Sequence, residues 1–389
     1  MRRSIKSRAK GSGRVAGGGL MYWVLAAVAL AGTGWIWWQT GQVVKSKSIK
    51  PLVFFPVSPA IQTNSRIVPP APESEIQRTL VKEPPVSNVT NTAIPPITID
   101  SGPFPRPVRD IFEAQVALSR QGISSGSLDG VPGFQTRAAL RAFQESEDLR
   151  PSGELDEATC ARLILSAPAL TRYTVTQGDL DRLGHIPHTW LGKSLRRRLD
   201  YETILELVAE KGHAHPNFIR RLNPAIDWDH VVPGAIITIP DADCPMPKTR
   251  AAYVRIHLAW KILEVFDAKN RLLIHFPCSI GRSVEKRPIG ELHVISVIHN
   301  PNYVFNPDIF PESEEGRTLG RRLVLPPGPN NPVGTAWIGL DRPGYGIHGT
   351  PRPEMVGRTE SHGCFRLANW NAEFLARLVS VGTPVIIQR

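Results

Sequence analysis

Leu20 to Trp38 is a run of nineteen residues without a charge, close to the ~20 that a helix needs to cross a bilayer. It divides the chain before any folded domain can begin. Arg2, Arg3, Lys6, Arg8, Lys10 and Arg14 precede it, which predicts a cytoplasmic tail over residues 1–19, and Trp35, Trp37 and Trp38 suit the far interface of a span over 20–38. Ala29-Leu30-Ala31 has the small-x-small form of a signal-peptide cleavage site. Because the apolar sequence runs on to Trp38, an uncleaved anchor is the favoured reading. Either way the rest of the chain is exported, and a single pass through the inner membrane puts it in the periplasm or cell wall space.

Residues 1–50 hold nine Lys or Arg and no Asp or Glu, out of a net charge of +11. The remainder is nearly neutral and carries no basic patch with interleaved aromatics, so nucleic acid is excluded as a partner and the charge reads as a topology signal. Residues 39–106 are rich in proline, with Pro69-Pro70, Pro84-Pro85 and Pro95-Pro96. They read as an extended linker which, at ~3.1 Å per residue in polyproline II, reaches on the order of 150 Å.

The chemistry sits near the C-terminus. Ile347-His348-Gly349-Thr350 is followed by Ser361-His362-Gly363-Cys364-Phe365-Arg366, which gathers one thiol, two imidazoles, small residues and an arginine. A thiol with a reference pKa of about 8.5 needs an imidazole to take its proton or to hold the thiolate as an ion pair. His362 lies too close along the chain to be placed freely, whereas His348 can approach Cys364 across a cleft. His348 is therefore the favoured base, with His362 as the alternative or as a supporting neighbour. Gly363 allows close backbone approach, so the amides of Gly363 and Cys364 are candidates for an oxyanion hole. Arg366 is placed to orient a carboxylate. A zinc site of His348, His362 and Cys364 is the competing reading and has no evident fourth ligand.

These residues resemble the signature of the YkuD-type L,D-transpeptidases, in which the histidine of an IHGT segment and the cysteine of an SHGC-x-R segment form the active pair. The resemblance covers residues 250–389. It includes Cys278-Ser279-Ile280-Gly281, Pro288-Ile289-Gly290-Glu291-Leu292, the stretch Leu325 to Pro332, and Gly382 to Ile387. Arg287 stands where threonine is usual, and Phe365 replaces an aliphatic residue. The resemblance implies Cys364 and His348 as the catalytic pair, with Ser361, His362, Gly363, Arg366 and Gly349 in support. It also implies a mainly β catalytic domain, no cofactor or metal, and peptidoglycan as substrate. Cys364 would attack the third residue of a tetrapeptide stem, release D-Ala, and pass the acyl group to a neighbouring stem amine as a 3→3 cross-link. Water as acceptor would make an L,D-carboxypeptidase, and a protein lysine would make an anchoring enzyme. A wall tether without activity is the reading from a different class.

Short β-branched runs at Tyr253–Leu258, Ile262–Phe266, Leu272–Phe276 and Leu292–Ile298 read as strands of that domain. Trp370–Val381 reads as its helix, with Asn369 or Asn371 as N-cap and Gly382 as the stop. Two modules precede it. Over 107–166, helical spacing of Ile111, Ala114 and Leu118, of Thr136, Leu140 and Phe143, and of Leu155, Thr159 and Leu163 alternates with Asp129-Gly130 and Gly153-Glu154-Leu155-Asp156, a weak internal repeat. This resembles a three-helix peptidoglycan-binding domain. Residues 173–241 resemble a β-α-α-β LysM domain, interrupted by an insertion over 183–200 that includes Arg196-Arg197-Arg198. The overall expectation is one transmembrane helix followed by a multidomain exported region. Of the four cysteines, Cys160 and Cys244 are the candidate pair for any disulfide, since both lie outside the catalytic domain.

Overall fold

The computed structural model describes residues 99–310, 312–359 and 363–389. The expected span at 20–38, its cleavage-site alternative, most of the linker, and Ser361 and His362 lie outside the described residues. Among the described residues no helix is long and apolar enough to cross a membrane.

The first module folds as the repeat suggests. β1 (Arg106–Pro107) pairs antiparallel with β2 (Ile164–Leu165) and closes the ends around α1 (Ile111–Arg120), α2 (Phe134–Ser146) and α3 (Glu157–Arg162). Asp110 and Asp156 cap α1 and α3 by accepting from Glu113 N and Thr159 N. The third helix is shorter than the spacing predicts, and Leu155 and Leu163 pack beside it rather than on it.

The internal repeat has a physical basis in two buried glutamines, each of which holds the loop that follows its helix. Gln115 Nε2 donates to Asp129 Oδ1 and Thr136 Oγ1, while its Oε1 accepts from Gly130 N. Gln144 Nε2 donates to Thr159 Oγ1, and its Oε1 accepts from Gly153 N at 2.8 Å. Gly130 and Gly153 have φ of +73° and +72°, a conformation in which a side chain is strained.

In the second module β3 (Leu170–Thr174) pairs antiparallel with β4 (Ile236–Pro240). Between them run α4 (Gln177–Asp181), α5 (Trp190–Ser194), α6 (Ile204–Lys211) and α7 (Pro216–Leu222). The first strand begins three residues before the expected Tyr173. Helix α5 belongs to the insertion.

The catalytic region contributes β5 (Tyr253–His257), β6 (Ile262–Phe266), β7 (Leu272–Pro277), β8 (Gly290–His299), β9 (Tyr303–Phe305), α8 (Glu314–Leu319), β10 (Leu323–Leu325), β11 (Ala336–Leu340), β12 (Gly346–His348), β13 (Phe365–Arg366), α9 (Asn369–Leu378) and β14 (Pro384–Gln388). Eight strands form one sheet in the order β13-β12-β11-β8-β14-β5-β6-β7, and β9 pairs with β10 separately. Ala372, Leu375 and Ala376 of α9 pack with Val254, Ile256, Ile338 and Val385 of the sheet in one core.

Three expectations are corrected here. Helix α9 spans Asn369–Leu378 and its N-cap is Ala368, without a side-chain cap. Asn369 and Asn371 instead bond to other parts of the fold, to Thr350 N and Ser124 Oγ among others. The helix ends at Val379, and Gly382, at φ +90°, belongs to the turn that leads into β14. Cys160 and Cys244 are both free thiols, because Cys160 packs against the helical core and Cys244 against the core of the sheet.

The described residues fall within one compact unit. Ser124 N donates to His275 O at 2.8 Å and His275 N to Gly122 O at 3.0 Å, so the first module covers the exposed edge of β7. Leu128 N donates to His213 O and His215 N to Leu128 O, which ties the first module to the second. Leu199 N donates to Pro327 O, and Asn330 N to Leu199 O, which ties the insertion to the catalytic region. Removing 108–241 would therefore open the catalytic region as well as delete the modules.

The glutamine braces yield a stability prediction. Gln144→Ala leaves buried polar groups at Gly153 and Thr159 without their partner and should cost about 2 kcal/mol, read as a lower urea midpoint. An exposed control, Glu145→Ala, should leave the midpoint in place, and equal midpoints for both variants would refute the brace.

Candidate active site

His348 and Cys364 line one cavity because two short strands run side by side. β12 pairs parallel with β13 in the register Ile347↔Phe365 and His348↔Arg366, and Leu367 N donates to His348 O at 2.8 Å. Cys364 immediately precedes β13 and so sits beside the start of β12. Its thiol donates to Gly344 O at 3.4 Å, and the backbone of Gly346 also bonds to it. Ser279 holds the other side of β13, exchanging backbone bonds of 2.9 and 3.0 Å with Arg366.

The base is oriented by its own neighbours. His348 Nδ1 lies 2.7 Å from Gly349 O. A carbonyl can only accept, so Nδ1 carries the proton and Nε2 keeps its lone pair. The imidazole stacks on Trp337, with ring centroids 5.6 Å apart and planes at 19°. A Cβ on Gly346 would lie 2.6 Å from the Trp337 ring, so this position admits only glycine.

Burial makes the resting pair neutral. His348 is 5% exposed, and desolvation pushes its pKa down to about 4 against the help of its bond to Gly349. The Cys364 thiol is pushed up by burial, which outweighs the Gly346 bond and the Arg366 charge. Arg366 itself is held below its ordinary value, chiefly by burial. The site favours proton transfer during attack over a standing thiolate–imidazolium pair.

A cavity of about 740 Å³ opens above the pair, lined by His348, Gly363, Cys364, Arg366 and Thr350 on the catalytic side. Sequence reasoning missed other residues of the lining, among them Trp190, Lys193, Tyr303 and Phe310. Of these, Trp190 and Lys193 come from the insertion in the second module, and that interruption was the available signal. Sequence reasoning also missed Asn369, which is fully buried. Its Oδ1 accepts from Thr350 N at 2.9 Å and Thr335 N at 3.3 Å, while its Nδ2 donates to Glu210 Oε2 at 3.1 Å. The second module thus reaches, through one carboxamide, the loop that follows His348. Among the described residues no cluster of three His, Cys, Asp or Glu could hold a metal ion.

A thiol and a neutral imidazole held by paired strands in the wall of a peptide-sized cavity define a cysteine acyltransferase site. The family profile of the YkuD L,D-transpeptidase catalytic domain matches residues 251–387, and that of a peptidoglycan binding domain matches 108–163. Among curated relatives, the Bacillus subtilis (strain 168) protein named as the L,D-transpeptidase YkuD is 28% identical over 156 residues, which span 40% of this chain and 76% of that protein. The Escherichia coli (strain K12) protein named as the L,D-transpeptidase YbiS is 30% identical over 168 residues, 42% of this chain and 53% of its own. Solved L,D-transpeptidase 3 from Mycobacterium tuberculosis aligns with 41% of this chain and 77% of its own at 17% identity and a TM-score of 0.29, too slight a likeness to add to the case. Residues 251–387 are a YkuD-type L,D-transpeptidase catalytic domain, and residues 108–163 a peptidoglycan-binding domain.

Two outcomes follow from the charges. Alkylation of Cys364 by iodoacetamide, read on its tryptic peptide, should keep rising as pH passes about 8.5, whereas a plateau in the acidic range would mean a standing ion pair. Glu210 is pushed up to about 8, chiefly by burial. A carboxyl raised in the fold contributes stability below about 4.5 and loses it as pH rises to about 8. Glu210→Gln keeps a neutral partner for Asn369, so its melting temperature should exceed wild type at pH 8 and the gap should close by pH 4.5. An unchanged gap across that range would count against a buried, protonated Glu210.

Proposed function

We propose that Cys364 attacks the carbonyl of the third residue of a peptidoglycan tetrapeptide stem, at the bond to the terminal D-Ala. The thiol proton passes to Nε2 of His348 as the C–S bond forms. The tetrahedral oxyanion is held by backbone N–H groups, with Gly363 and Cys364 as the donors at this position. On collapse the C–N bond breaks, His348 returns the proton to the leaving amine, and D-Ala departs from a thioester. A neighbouring stem's side-chain amine then attacks the thioester, losing its proton to His348; the C–S bond breaks, His348 returns that proton to the Cys364 sulfur, and a 3→3 cross-link results. The observation that carries this reading is the Nδ1 bond of His348 to Gly349 O. It fixes the tautomer that leaves a neutral base facing the cavity shared with Cys364.

The modules supply the setting. The antiparallel β3–β4 pair around α6 and α7, with the two short helices α4 and α5 added before them, supports a LysM-like glycan-binding role for the second module, beside the peptidoglycan-binding domain. The apolar run at 20–38 supports a single-pass anchor with the catalytic region in the periplasm or wall space. Ser361 and His362 are assigned to support of the nucleophile by their place in its motif.

Intact-protein mass spectrometry of the full chain with a disaccharide-tetrapeptide tests the reaction. Wild type should show an adduct that has lost D-Ala and should release 3→3 dimers, and Cys364→Ala should show neither. Trimmed tripeptide without dimers would identify water as the acceptor, and no adduct at all would overturn the acyl-transfer reading.

A further inference from the structure

The roof of the active-site cavity comes from the second module, and it is cationic. Helix α5 of the insertion is held there by a small core of its own. Leu199 packs with Phe305, Leu323 and Leu325, and the Trp190 ring stacks on Phe305 with centroids 4.3 Å apart and planes at 14°. The carboxylate of Glu315 accepts from Trp190 N and Leu191 N, both at 2.8 Å. These contacts fix the direction in which Lys193, one turn along, enters the cavity.

Lys193 Nζ lies 5.5 Å from the centroid of the Trp190 ring, so its stem is laid along an aromatic face. It shares the cavity lining with Arg352 and Arg366. Lys193 and Arg366 are both held below their ordinary values, first by burial, with the Arg352 charge acting in the same direction on each. Three cations thus share one cavity with Cys364. Among the described residues that line the cavity, Glu312 is the carboxylate. Glu315 acts on Lys193 from outside the cavity lining, with both of its oxygens already engaged by backbone amides. Lys193 is half-buried while Arg352 is exposed, and a half-buried ammonium beside a like charge gains from an anion brought to it.

We infer that Lys193, carried into the active site by the insertion of the second module, binds a carboxylate of the stem peptide together with Arg352, and so makes the acyl donor an anionic peptide. This rests on the acyl-transfer reading above for the identity of the peptide. Its recognition element is new, because it lies outside the catalytic domain and comes from a module that otherwise faces glycan. Lys193 is a specificity-determining residue, and Cys364 and His348 need no part of it for proton transfer. A stem has two kinds of carboxylate that could fill the role, at its C-terminus and on its side chains.

The test is calorimetric binding to the full chain carrying Cys364→Ala, which separates recognition from chemistry. Three probes are compared: the free-acid tetrapeptide, its C-terminal amide, and its side-chain amide. Lys193→Met, which keeps the apolar stem against Trp190, should weaken binding of the free acid about tenfold, the size expected for one charge-assisted bond. One of the two amides should bind both proteins equally and so name the carboxylate. Lys193→Arg should restore the affinity for the free acid, which a merely structural loss at Trp190 would not allow. Equal weakening for all three probes, or no weakening for any, would overturn the inference. Absence of a thioester on the wild-type protein would instead refute acyl transfer and leave the binding result standing on its own.

Discussion

Five residues of strand position the site. The parallel pairing of Gly346–His348 with Phe365–Arg366 brings together two segments that are separated by a loop in sequence, and it sets them by backbone bonds rather than by side-chain contacts. A one-residue slip would send His348 to the other face of the sheet. The surrounding structure defends the register from several sides. Ser279 clamps β13, Trp337 of β11 stacks on the imidazole, and Gly346 is small enough to let that ring approach. Even Asn369, which starts α9, spends its carboxamide on the loop that leaves His348.

Burial gives the site its chemical character. An imidazole held near pKa 4 and a thiol held above its usual range store no charge at rest. The cost of charge separation is therefore met during reaction, when substrate dipoles and the oxyanion donors are in place. The same desolvation keeps the nucleophile largely as a thiol in the absence of substrate, and a thiol oxidises less readily than a thiolate.

The candidate site residues were legible because their spacing is local and their residue types are poor core formers. His348, Cys364, Gly349, Gly363 and Arg366 could be named from the sequence, as could β6 to the residue. The strands read well where β-branched runs alternate cleanly. What could not be read was long-range. Asn369 looks like a helix cap from its neighbours, and only the folded chain shows that Thr335, Thr350 and Glu210 claim its hydrogen bonds first. Gln115 and Gln144 look like solvated helix positions until the loops fold over them. Trp190 and Lys193 fall in what reads as an interruption of a module, and their place over the cavity depends on contacts to residues 303–325. Cys160 and Cys244 share a compartment and a position outside the catalytic segment, but they belong to different cores.

Strand β7 ends the large sheet, and residues 122–124 of the peptidoglycan-binding domain continue it as one more rung. A domain joined to a sheet in this way cannot swing. Wherever that domain grips the wall, the thiol addresses the polymer at one fixed offset from the grip. The chain behaves as a caliper, with the interval between foothold and reaction set by hydrogen-bonded backbone. An enzyme tethered by a loose arm would sample many stems around its foothold, whereas this one samples those at a single spacing.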